Sequence, residues 1–211
     1  MGYSIIMYTA IYCPLIPLII LLFKIRKFGI GSIFLWLILV PLSTDVLCEI
    51  IKGITANCNY LYNGYTLLLG IGMSLLYYKT IQRRSIKILI VCNMVVLFIS
   101  SLIGCFVTPG YLMYDVVSHL ILCVLAMVGS LFYFWELLTD LNVDNILAES
   151  NFWINSAILI YFGASISIIA FDEYIVDPDM VLFYMIWPVN LVLTTFYNII
   201  LSIGFWNLKK T

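Results

Sequence analysis

The sequence predicts an all-α membrane protein: a single domain over residues 1–211, folded as a bundle of seven transmembrane helices, N-terminus outside and C-terminus cytoplasmic. Three observations lead there. Hydrophobic residues make up 64% of the 211 and charged residues 10%, against about 45–50% and about 25% in soluble domains. The apolar residues gather in stretches that meet the requirement of about 20 residues for a span. The basic residues fall in alternate breaks between those stretches. Such a composition excludes a soluble globule, which would lack polar residues for its surface, and a disordered tail. A net charge of −1 with no basic stripe excludes a nucleic-acid binder.

Taken in order, the spans cover approximately 4–23, 28–51, 60–81, 88–106, 111–138, 152–171 and 181–206. Lys24 to Lys27 end the first. The stretch from Lys52 to Asn59 separates the second from the third, and Gln82 to Lys87 the third from the fourth. Val107 to Gly110, Thr139 to Asn151 and Asp172 to Met180 make the remaining breaks. The 139–151 break is long enough for a short interfacial helix. These are long apolar runs, not the short alternating strands of a membrane barrel. The first span carries no basic leader and no small-residue cleavage site, so it reads as a retained helix. With the N-terminus outside, Lys24, Arg26, Lys27, Lys79, Arg83, Arg84, Lys87, Lys209 and Lys210 share the cytoplasmic side, and Lys52 falls opposite. Tyr and Trp at the span ends form an interfacial belt.

Cysteines stand at 13, 48, 58, 92, 105 and 123 without a C-x-x-C pair, and His119 is the one histidine. That set supplies no zinc site, and no metal or cofactor is expected. Cys58 and Cys105 both reach the outer face, where a bridge between them and a pair of separate thiols are the two readings.

Ionisable residues inside a span are costly, about 2.5–3.5 kcal/mol on insertion scales, and point to function. Asp45 and Glu49 lie four residues apart on the second span, as do Asp115 and His119 on the fifth, so each pair shares a helix face. The spans run in opposite directions, which brings both pairs to the outer half of the bilayer. Tyr62 and Asn63 can join them. Together Asp45, Glu49, Tyr62, Asn63, Asp115 and His119 predict an outward polar chamber for a small ligand, an ion or a proton, with His119 as its titrating group. The alternative pairs Glu49 with Lys52 and leaves Asp115 as a helix cap. A second polar layer, Glu136, Asn155 and Asn198, faces the cytoplasm. Pro41, four residues before Asp45, removes a backbone hydrogen bond and shapes the wall beneath that acid.

Reaction classes narrow quickly. The last span has no lysine, which excludes a retinal pigment. One histidine cannot ligate the metal of an intramembrane hydrolase. Ser118 and His119 are adjacent and point about 100° apart, so they are no nucleophile–base pair. No catalytic residue is expected.

The segments Phe134-Trp135-Glu136-Leu137-Leu138, Asn151-Phe152-Trp153-Ile154-Asn155-Ser156, Ile160-Tyr161-Phe162-Gly163 and Asn198 to Trp206, with Leu76-Tyr77-Tyr78-Lys79, resemble a group of small seven-span inner-membrane proteins of Bacteroidota. Members of that group accompany sensor histidine kinases. The resemblance implies a multi-pass protein of the bacterial inner membrane and a signalling partner such as a histidine kinase or regulator. The reading is a receptor-like sensor module rather than an enzyme, set in a lipid bilayer. A small transporter or channel is the alternative, and a lipid-modifying enzyme ranks third.

Overall fold

The structure, a computed structural model, describes residues 9, 12–24, 30–53, 58–107, 116–140, 145–170 and 180–208. The side chains of 30, 52, 104–107, 140, 170 and 180–187 lie outside that description. Among the described residues all regular structure is helical. The helices are α1 (Leu15–Lys24), α2 (Ile30–Lys52), α3 (Asn59–Thr80), α4 (Arg84–Val107), α5 (Val116–Asp140), α6 (Ser150–Ala170) and α7 (Met180–Trp206). Each falls on one of the expected spans. Five of them, α2, α4, α5, α6 and α7, are long and apolar enough to cross a membrane. The chain is therefore a helical, multi-pass membrane protein.

The 139–151 break holds a 3-10 turn, Ile146–Ala148, in place of an interfacial α-helix. Asn145 caps the start of this turn: its side chain accepts the Leu147 N–H. Trp153 Nε1 then donates to Leu147 O at 2.8 Å, which ties the turn to α6.

Consecutive helices pack on one another and α7 returns to α1, while α3 also packs directly on α5. Most of α4 is exposed, so it lies against the outside of the α3–α5 seam. In lipid no hydrophobic drive pulls helices together, so close packing of small residues must do it. Gly70 marks where α3, α4 and α5 meet; a Cβ there would collide with Leu97 of α4 and reach Leu122 of α5. Gly129 of α5 lies against the fully buried ring of Tyr77. At the centre Phe34 of α2 meets Phe205 of α7 with ring centroids 5.5 Å apart. Around the outside stand exposed apolar side chains at helical spacing, such as Leu68, Ile71 and Leu75 on α3 and Val91, Val95 and Phe98 on α4. A surface of this kind is stable against acyl chains and not against water.

α4 begins at Arg84, four residues before the hydropathy boundary. Its start is set by a distant acid: Glu136 at the end of α5 binds the main chain there. Hydropathy does not register that contact.

Two substitutions test this packing. Gly129→Ala should lower stability by about 1–3 kcal/mol, because the added methyl meets the Tyr77 ring in a filled core. Gly64→Ala, where nothing lies within 4 Å, should raise it by about 0.5–1 kcal/mol. Thermal unfolding of the purified variants in detergent checks both, and equal melting of the two would contradict the seam.

Candidate functional site

The bundle has a disulfide end and a basic end. At the first, Cys48 in the last turn of α2 bonds Cys58 just before α3, with Cα atoms 5.7 Å apart and a separation of 10 residues. This replaces both sequence readings of Cys58, a bridge to Cys105 and a separate thiol. The partner lies across a short hairpin, where closing the loop costs little entropy, rather than on α4. The Cys105 side chain lies outside the described residues.

Below the disulfide, α2 carries Asp45, half-buried, and Glu49, exposed, and the Tyr62 hydroxyl of α3 lies within electrostatic range of both. Thr44 is buried beside them and donates to Val40 O at 2.9 Å, as Ser43 does at 3.0 Å. One turn further along α3, Thr66 donates to Tyr62 O at 3.0 Å and lies 3.2 Å from His119 Nδ1 of α5. A threonine hydroxyl has one proton. With that proton on the Tyr62 carbonyl, the contact is His119 Nδ1–H donating to Thr66. The Tyr65 ring stacks alongside the imidazole, centroids 6.3 Å apart and planes 25° apart. Ser118 is buried and shares a 2.8 Å hydrogen bond with Ser100 of α4.

Asn63, half-buried beside Tyr62, also has a bonding partner. Asp115 and the acidic stretch 172–179 lie outside the described residues, as does the Lys52 side chain. The grooves that the surface does show sit elsewhere, against α1: one of about 320 Å³ is lined by Ile16, Ile20, Ile199, Ser202, Ile203 and Trp206.

From the disulfide end, tyrosines continue into the bundle. Tyr62 lies within electrostatic range of Tyr161 on α6. Tyr161 faces Asp45 and Thr194 and packs on Tyr197 of α7 at 4.9 Å between centroids. Tyr197 in turn lies within range of Tyr77. The Tyr77 hydroxyl donates to Ala126 O at 3.0 Å and shares a 2.8 Å bond with Ser130 of α5. Each is a polar tip on an apolar ring, which suits a bundle centre that is neither wet nor wholly apolar. The sequence names Tyr77 and Tyr161 only within the motifs of the resemblance and does not single out Thr66 or Tyr197, because one hydroxyl in an apolar run carries no periodic signal.

At the basic end Glu136 is 7% exposed. Its two carboxylate oxygens accept the backbone N–H of Gln82 and of Arg83, each at 3.0 Å. Arg83 is the residue whose carbonyl receives the first bond of α4, from Lys87 N. Glu136 therefore does across two helices what a capping-box glutamate does within one: it satisfies orphan donors and places negative charge at the positive end of a helix dipole. Asn155 and Asn198 are buried and bond within their own helices, to Asn151 O and Thr194 O, each at 2.8 Å. The Asn155 Oδ1 atom finds no partner.

Among the described residues no cluster of His, Cys, Asp and Glu could hold a metal ion. Comparison with protein-family models, curated proteins and solved structures gave no match.

Glu136→Gln keeps the shape but loses the charge and one acceptor. It should cost about 0.5–2 kcal/mol, the usual worth of a helix cap. Hydrogen exchange should speed up at the Gln82 and Arg83 amides while the α6 amides stay as they were. Unchanged exchange at 82 and 83 would show that the clamp does not hold the turn.

Proposed function

We propose that the chain is a receptor-like membrane sensor of seven spans, N-terminus outside and C-terminus cytoplasmic. It binds a small cation or a proton at the disulfide end. The observation that carries this reading is the convergence there of Asp45, Glu49 and Tyr62 with an imidazole oriented by Thr66. A histidine is the side chain whose charge ordinarily changes within the physiological pH range. Two features support the orientation. A disulfide persists in an oxidising exterior, and Lys79, Arg83, Arg84 and Lys87 cluster at the opposite end. On this reading the protein sits in a bacterial inner membrane, and its basic end passes the change to a partner such as a histidine kinase or regulator.

A second reading, a small transporter or channel, has its own support: the tyrosines from Tyr62 to Tyr77 carry polar groups past the middle of the bundle. A transporter exposes its site alternately to both sides, whereas a sensor keeps it on one.

Nitrogen NMR of the labelled histidine in lipid nanodiscs distinguishes these outcomes. His119 should titrate from the disulfide side, with Nδ1 protonated throughout, and proteoliposomes should show no saturable cation or proton uptake. His119→Gln should fold and lose the pH response, while Asp45→Leu should lower stability by removing a charged partner inside the membrane. A histidine silent between pH 5 and 8 would end the sensor proposal. Saturable flux would favour transport.

A further inference from the structure

The corner between α3 and α4 carries four cations: Lys79, Arg83, Arg84 and Lys87. Three are exposed and Lys87 is half-buried. Among the described residues none of the four has an ion-pair partner. Among the described residues Glu136, the acid that reaches this corner, is turned inward with both oxygens committed to main-chain amides, so its carboxylate is not offered to the guanidinium and ammonium groups. Two of the four are held against aromatic faces: Arg83 4.2 Å from the Trp135 ring centre and Lys87 5.0 Å from that of Tyr78. Those rings are themselves about half exposed, at 46% and 50%.

Below this corner the surface turns apolar at once. Leu75 on α3, Ile88, Leu89 and Val91 on α4 and Leu138 on α5 are all exposed. The pattern is cations at the level of the aromatic belt above a continuous apolar face. We propose that this corner is a binding site for an anionic phospholipid, its phosphate held by Arg83, Arg84, Lys79 and Lys87 and its acyl chains laid against α3 and α4. Arginine binds phosphate through a planar fork of donors, and each basic side chain near a lipid surface adds attraction that salt screens. An acidic protein segment would meet the charges but leave the apolar face below them uncovered, so the lipid fits better.

The test uses the full chain in maltoside micelles doped with dioleoyl phosphatidylglycerol or dioleoyl phosphatidylcholine, with retained lipids counted by native mass spectrometry. The wild type should retain phosphatidylglycerol over phosphatidylcholine, and the preference should fall as salt rises. Arg84→Gln with Lys87→Gln should weaken retention by about 30-fold, about fivefold for each cation removed. Lys24→Gln, a basic residue on α1 at 2.8 Å from Trp206 O, should leave it unchanged. If the double variant fails to fold, the salt dependence in the wild type decides. Equal retention of both lipids, retention unaffected by salt, or equal loss in Lys24→Gln would overturn the site. So would binding of hexaglutamate with no lipid preference, which would assign the corner to a protein partner.

Discussion

The structure depends on the seam between α3 and α5. Two side-chain contacts join them at one sequence offset, Thr66 with His119 and Tyr77 with Ser130, and the Arg83 amide just beyond α3 meets Glu136 at the same separation of 53 residues. A constant offset means that the two helices run in the same direction. Thr66 and Tyr77 are 11 residues apart, about three helical turns, so they look out from one face of α3. In a bilayer that face could not be left to lipid, because each unpaired polar group there costs several kcal/mol. Its hydroxyls find partners on α5, and the two helices are locked in register where lipid packing forces alone would let them slide. Polar contacts between membrane helices average about 0.6 kcal/mol each, so specificity of register is their larger contribution.

The rest of the bundle follows from that seam. Two parallel helices need a connection that crosses back, and α4 provides it from the outside, where its side chains face lipid. Its first turn carries Arg84 and Lys87, which oppose the helix dipole. Glu136 offsets this by reaching from the end of α5 to the start of α4. The same contact turns the Glu136 carboxylate away from the surface cations at that corner. On the other side of the seam, α2 brings Asp45 and Glu49 to Tyr62, and α6 and α7 add Tyr161 and Tyr197. The site proposed at the disulfide end therefore shares α5, through His119, with the Glu136 clamp at the basic end.

Much of this was legible in the sequence. Apolar length located all seven helices, since the bilayer sets that length. Intramembrane charge drew attention to Asp45, Glu49, His119 and Glu136. What escaped was partnership. Glu136 read as part of a cytoplasmic polar layer because nothing local shows its partners, which are amides 53 and 54 residues earlier. Thr66 was silent, since a hydroxyl in an apolar helix usually bonds its own backbone. For Cys58, depth suggested Cys105 or no partner, whereas hairpin geometry supplied Cys48. Gly129 was one of 12 glycines, and the Tyr77 ring that requires it comes from another helix.

Paired-cysteine cross-linking tests the seam most directly. Thr66→Cys combined with His119→Cys should form a disulfide under mild oxidation. Thr66→Cys with Val124→Cys, which faces outward on α5, should form none. A bond in the second pair, or its absence in the first in a protein that is otherwise folded, would contradict the parallel register of α3 and α5.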